Sequence, residues 1–274
     1  MAMKIEINGL VYAYETYGEG EPLLVLHGFT GCKESWRPFS WQTDYHIIAV
    51  DLPGHGETDA PSYKERYKME QVAADLAELL TILNVDKAHV LGYSMGGRLA
   101  IAFACLYPER VRTLVLENCT AGLETEVERE ARIRQDEELA KTLLQDGVAT
   151  FIEKWERIPL FASQDSLPKE RKEQLRQQRL RNSPVGLAGS LRGMGTGAQP
   201  SFWEELKHLC MPVLLLSGAY DEKFFHILSR MKEKLPDAQF VQISDAGHAI
   251  HVEQPEKFDT IVREFLQSHK EGIS

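Results

Sequence analysis

The chain has no long hydrophobic run. No apolar stretch approaches the ~18 residues that a membrane-spanning helix needs, so a helical membrane protein is excluded and no membrane partner is expected. Cysteine is scarce. The four present, Cys32, Cys105, Cys119 and Cys210, lack metal-ligand spacing and lie in or beside apolar segments, which reads as reduced packing residues rather than disulfides or a metal centre. There is also no excess of positive charge. With 41 acidic against 31 basic residues the formal net charge is −10, which offers no general attraction to nucleic acid or anionic membranes. An anionic ligand would have to be met by a few placed cations. Internal repeats, low-complexity tracts and a linker between domains are absent too. The first residues are strand-like and charged rather than a signal peptide, so a cytoplasmic protein is expected, working as a monomer or weak homo-oligomer.

What remains is ordinary material for a soluble fold: 274 residues, 43% of them hydrophobic. Residues 4–7 alternate polar and apolar, Asn8-Gly9 is a strong two-residue hairpin signal, and residues 10–17 resume a strand pattern. An antiparallel hairpin therefore opens the chain. Leu23-Leu24-Val25-Leu26 is wholly apolar, as in a strand covered on both faces of a parallel sheet. Further strands are expected at 46–50, before Ser94, at 111–116, at 212–217 and at 240–243. Helical stripes fall at 69–83, after Ser94, and at 225–235 and 256–268. Strand alternating with helix predicts a mostly parallel sheet with helices on both faces, an α/β fold. The alternation stops after residue 117. Residues 124–144 and 169–181 read as charged helices and 148–155 as a shorter helical stripe, so 118–203 is assigned to an inserted helical cap and 1–117 with 204–274 to the core.

The chemistry centres on Gly92-Tyr93-Ser94-Met95-Gly96, between an apolar strand and an Ala-rich helix. A G-x-S-x-G turn in that context exposes a serine at a sharp strand-to-helix bend, with glycines where a β-carbon would strike neighbouring backbone. Serine alone is a weak nucleophile and base. It needs a histidine to take its proton and an acid to fix the imidazole. Asp221, after the strand at 212–217, and His248, after the strand at 240–243, supply them in the order Ser94, Asp221, His248. Each follows a strand, which in a parallel sheet brings distant residues to one edge. Asp51 and His55, in an Asp-x-Pro-Gly turn, read as turn formers, and His27, His251 and Glu253 are weaker candidates for the base or acid. The loop His27-Gly28-Phe29, together with the residue after the serine, gives Phe29 and Met95 as main-chain oxyanion donors.

This arrangement resembles the α/β-hydrolase superfamily over nearly the whole chain. Narrower motifs are Gly92-Tyr93-Ser94-Met95-Gly96-Gly97-Arg98, Glu128-Arg129-Glu130-Ala131-Arg132-Ile133-Arg134-Gln135-Asp136, Trp155 followed by Pro159-Leu160-Phe161-Ala162-Ser163, and Asp221-x-Lys223-Phe224. Together they resemble the 2-succinyl-6-hydroxy-2,4-cyclohexadiene-1-carboxylate synthases of menaquinone biosynthesis. The resemblance implies a lyase without cofactor or metal, eliminating pyruvate from a small cyclohexene polycarboxylate, with Ser94 acting as a base. It also implies that Arg98, Arg132 and Arg181 grip substrate carboxylates, with Tyr93 and Trp155 lining the pocket. Guanidinium suits that task, being always charged and able to clasp a carboxylate with two parallel bonds. Arg129 and Arg134 are alternatives on the same stretch as Arg132, and a solvated helix salt bridge is the alternative for each arginine. A serine hydrolase of esters or carbon-carbon bonds, or a non-catalytic small-ligand receptor, remain competing classes.

Overall fold

Successive side chains on a strand point to opposite faces, so a wholly apolar strand needs apolar cover on both sides. The structure, a computed structural model, describes residues 2–270. Its strands are β1 (Met3–Ile7), β2 (Leu10–Tyr17), β3 (Glu21–Leu26), β4 (Tyr45–Val50), β5 (Ala88–Tyr93), β6 (Val111–Glu117), β7 (Val213–Gly218) and β8 (Ala238–Ile243). They form one eight-stranded sheet in the order β1-β2-β4-β3-β5-β6-β7-β8. The pairs β1/β2 and β2/β4 are antiparallel and all others parallel. The expected hairpin is present: Asn8 and Gly9 both take positive φ, 50° and 76°, and Ile7 pairs with Leu10 across the turn.

The helices are α1 (Met69–Ile82), α2 (Met95–Leu106), α3 (Glu126–Trp155), α4 (Lys169–Leu180), α5 (Pro184–Met194), α6 (Glu222–Lys234), α7 (Ile250–Glu253) and α8 (Pro255–Ser268). Leu24, Leu26, Val90, Leu114 and Leu215 join α1, α2 and α6 in one core cluster. Their strand neighbours Leu23, Val25, Leu91, Val115 and Leu214 join α8 and Trp36 in a second. That split is the strand period of two made visible, with helices on both faces as expected. No helix among the described residues is long and apolar enough to cross a membrane.

Between β6 and β7 the chain leaves the sheet and builds α3, α4 and α5. The two expected helical stretches at 124–144 and 148–155 are one element broken at Gly147, whose φ of 78° and ψ of 169° are not helical. Thr125 caps its start, accepting from the Glu128 N–H while Glu128 returns a bond to Thr125. The α5 helix is not among the stretches expected from the sequence. Its glycines lower helix propensity, but a Cβ on Gly186 would sit 2.2 Å from the Gly54 carbonyl oxygen and one on Gly189 would lie 2.4 Å from the Tyr67 ring. They let α5 lie directly on the loop after β4, and Leu187, Ala188 and Leu191 pack there with Leu143, Phe151 and Ile152 of α3.

Candidate active site

Ser94 caps α2 with φ 49° and ψ −106°, a conformation that side chains with a Cβ avoid. Its surroundings hold it there. The Ser94 N–H donates to the Glu117 carbonyl at 2.9 Å, and the backbones beside it approach more closely than any other residue type would allow. A Cβ on Gly96 would lie 2.2 Å from the Leu26 carbonyl oxygen. The hydroxyl is thus presented at the carboxyl end of the parallel strands.

Asp221 and His248 arrive at the same edge from β7 and β8. His248 Nδ1 lies 2.7 Å from Asp221 Oδ2 and Nε2 lies 3.0 Å from Ser94 Oγ. With the carboxylate as acceptor, Nδ1 carries the ring proton and Nε2 turns its lone pair toward the serine. Asp221 also caps α6, accepting from the Phe224 N–H at 3.3 Å. For that reason the helix expected from residue 225 begins at Glu222. Both Asp221 and His248 are buried, which strengthens their interaction.

The loop carrying His248 is clamped by residues that sequence reasoning missed or left without a task. Glu253 accepts from the N–H groups of Gly247 at 2.6 Å and Ala249 at 3.2 Å. Asn118 donates to the carbonyls of Gly247 at 3.1 Å and His248 at 2.8 Å. No local pattern could reveal Asn118, because its partners lie some 130 positions away in sequence. His251 is a packing residue: buried, bonded through Nδ1 to Glu117 at 2.9 Å, and set edge-on to Tyr93 with ring centroids 4.6 Å apart.

His27 and Asp51 organise neighbouring loops. His27 Nδ1 donates to the Gly28 carbonyl at 2.8 Å and Nε2 accepts from the Leu52 N–H at 3.0 Å, tying the loops after β3 and β4 together. Burial lowers its pKa to about 4, and burial with the adjacent His27 lowers that of His55 to about 3, so both rings are neutral near pH 7. Asp51 accepts from the Lys33 backbone N–H at 2.7 Å, from Lys33 Nζ at 2.8 Å and from the Glu57 N–H at 2.9 Å. The turn-forming reading of Asp51 and His55 fits this placement.

A cavity of about 200 Å³ opens onto Ser94 and His248. Phe29, Tyr93, Met95, Arg98, Arg132 and Trp155 line it together with Ser94 and His248, so eight of the ten expected residues, all but Asp221 and Arg181, fall on one space. Met95 opens α2, where the first N–H groups have no intrahelical acceptor. Trp155 stacks on Phe151 at 5.5 Å and its indole N–H is buried without a partner among the described residues. Arg98 is buried, with Nη1 donating to the Met194 carbonyl at 2.7 Å and to the Gln199 side-chain oxygen. Burial, aided by repulsion from Arg132, brings its pKa down from 12.5 to about 10, so it remains charged at neutral pH. Arg132 Nε donates to Asp136 Oδ1 at 2.8 Å, and burial raises the Asp136 pKa against the pull of Arg132. Of the two guanidiniums only Arg132 is paired with a carboxylate, while Arg98 is held by neutral oxygens, which leaves positive charge against the cavity.

Arg181 stands apart from the other expected residues. It is exposed, does not line this cavity, and its guanidinium reaches Cys32 Sγ at 3.8 Å. As the C-cap of α4 it occupies a place where a cation complements the helix dipole, while Asn182 turns the chain inward by donating to the Thr30 carbonyl at 2.8 Å. Of the alternatives to Arg132, Arg134 is exposed and paired with Glu130 at 3.6 Å, and neither it nor Arg129 lines the cavity.

For a metal, the side chains close enough among the described residues are Cys32, Glu34 and Asp51. The Lys33 ammonium already sits 2.8 Å from Asp51 and 3.3 Å from Glu34, and burial pushes the Cys32 thiol up to about 12. A neutral thiol beside a resident cation is a poor metal site.

A serine on a strained elbow after a parallel strand, with its partners in the loops after the last two strands and a helical cover above, defines a class, and the chain belongs to the α/β-hydrolase fold family, whose model matches residues 21–255. Within that class the motif resemblance to the cyclohexadiene-carboxylate synthases is borne out. The chain is 47% identical over 264 residues, 95% of its length and 96% of the relative's, to a Bacillus subtilis (strain 168) protein whose name gives it provisionally as a 2-succinyl-6-hydroxy-2,4-cyclohexadiene-1-carboxylate synthase. It is 31% identical to the synthase of that name from Pectobacterium atrosepticum, covering 89% of this chain and 93% of the relative. The solved structure of MenH from S. aureus superposes with a TM-score of 0.90 at 37% identity, covering 94% of this chain and 99% of that one. A thermophilic esterase from Thermogutta terrifontis, solved with malate bound, is also similar, with a TM-score of 0.83, 31% identity, and coverage of 98% and 99%.

Proposed function

We propose that the protein is a cofactor-independent lyase of menaquinone biosynthesis that eliminates pyruvate from 2-succinyl-5-enolpyruvyl-6-hydroxy-3-cyclohexene-1-carboxylate. The product is 2-succinyl-6-hydroxy-2,4-cyclohexadiene-1-carboxylate. The observation that carries this reading is the meeting of Ser94, His248 and Asp221 on a cavity that also holds Arg98 and Arg132. Burying a guanidinium beside the serine is costly, and an anionic ligand for the donors that Met194 and Gln199 leave free offsets that cost. The synthase relatives support the same conclusion.

The ring proton next to the succinyl ketone is the acidic one. Ser94 Oγ removes it while passing its own proton to His248 Nε2, and Asp221 stabilises the imidazolium. Negative charge develops on the ketone oxygen, where the N–H groups of Phe29 and Met95 act as donors. The electron pair then shifts the ring double bond and expels the enolpyruvyl oxygen, giving the conjugated diene. The departing enolpyruvate takes up a proton at carbon and becomes pyruvate, so protons and electrons balance. Arg98 and Arg132 hold carboxylates, while Tyr93 and Trp155 wall the ring.

Pyruvate release measured with a coupled dehydrogenase tests the proposal, with stoichiometric pyruvate and diene absorbance as the expected result. Ester hydrolysis is the second reading, favoured by the serine-to-imidazole contact at 3.0 Å, which would serve acyl transfer as well. Rapid p-nitrophenyl ester turnover without pyruvate release would reverse the order of the two.

A further inference from the structure

Lys223 occupies a position that is unfavourable for a cation. It lies in the first turn of α6, two residues past the Asp221 cap, where the helix end already carries partial positive charge and a cation is unfavourable. It forms no ion pair with a carboxylate among the described residues, although the protein has many exposed acids. Instead its ammonium lies 5.8 Å from the centre of the Phe224 ring, which in turn lies 4.8 Å from the His248 ring. Lys223 also lines the cavity that holds Ser94, Arg98 and Arg132.

Three elements therefore bring one cation each to a single space: α2 brings Arg98, α3 brings Arg132 and α6 brings Lys223. The proposed substrate carries three carboxylates, on the ring, on the succinyl arm and on the enolpyruvyl group. Two guanidiniums, one of them partly engaged by Asp136, leave one of these without a partner. We propose that Lys223 binds a substrate carboxylate that Arg98 and Arg132 do not hold, so that the site selects for a tricarboxylate over a dicarboxylate. This rests on the lyase reading for the identity of the ligand, but the anion preference of the cavity can be measured without any reaction. A flexible, strongly hydrated ammonium on an exposed stem suits a group that must also be released.

The test compares wild type, Lys223→Gln and Lys223→Arg by calorimetric titration with trans-aconitate, a small tricarboxylate, and with succinate. In parallel, pyruvate release is followed as a function of substrate concentration. For an exposed charge pair the glutamine variant is expected to bind trans-aconitate about fivefold more weakly. Succinate binding should stay unchanged, KM should rise by a similar factor, and kcat should hold, with the arginine variant restoring most of the affinity. A glutamine variant that binds trans-aconitate as wild type does, or an arginine variant no better than glutamine, overturns the assignment, as does a wild type that ignores the tricarboxylate. If the titrations follow expectation and wild type releases no pyruvate, Lys223 stands and the lyase reading falls.

Discussion

Replacing Arg98 should damage the reaction in a way that its burial makes quantitative. Arg98 is 8% exposed and its guanidinium already spends Nη1 on the Met194 carbonyl and Gln199, so the remaining donors are fixed in direction before a ligand arrives. A charge-assisted bond to a carboxylate in such a setting contributes about 1.5–3 kcal/mol. At about 1.4 kcal/mol per factor of ten, Arg98→Ala should lower kcat/KM by roughly 10- to 150-fold. The alanine also leaves the Met194 and Gln199 oxygens without this donor, so a melting curve must accompany the kinetics. Arg98→Lys provides a sharper test. Burial and Arg132 bring the arginine from 12.5 to about 10. The same burial and the same neighbouring cation would act on a lysine, which starts lower than arginine, and push its pKa down further. The cation is present below the pKa and lost above it. Carboxylate binding by the lysine variant should therefore weaken as pH rises above neutrality, while wild-type binding stays level across that range. The assay is kcat/KM for pyruvate release from pH 6 to 9. A lysine variant whose profile parallels wild type, or an alanine variant within tenfold of wild type and equally stable, would remove Arg98 from the ligand site.

Ser94→Ala should reduce kcat by about 10²–10⁴-fold, the range for losing a positioned proton-transfer group, while calorimetry still detects ligand binding because the cations remain; near-normal turnover would exclude the serine mechanism. Gly96→Ala should lower the melting temperature, since its Cβ would meet the Leu26 carbonyl at 2.2 Å, and overpacking of this kind costs about 1–3 kcal/mol; an unchanged melting curve would show that the elbow can relax. Arg181→Ala should change kcat/KM by no more than about threefold, consistent with an exposed side chain, whereas Arg132→Ala should exceed it. A larger loss at Arg181 than at Arg132, in the same pyruvate assay, would bring Arg181 back to the substrate.

The local signals in the sequence were those that short-range physics writes down. Apolar runs at 23–26 and 212–217 determined buried strands, Asn8-Gly9 determined the hairpin, and the glycines around Ser94 determined the elbow, because each depends on neighbours a few residues away. The order Ser94, Asp221, His248 could be read for the same reason, each residue standing just past a strand. Tertiary structure alone decided the rest. It turned the glycine-bearing stretch 184–194 into a helix by pressing it against Gly54 and Tyr67, a contact no local propensity encodes. It chose Arg132 over Arg129 and Arg134 for the cavity and turned Arg181 outward to Cys32, because the direction of a helix face is set by what it packs against. It also gave Asn118 and Glu253 their hold on the His248 loop, since hydrogen bonds between residues far apart in the chain exist only after the sheet has brought them together.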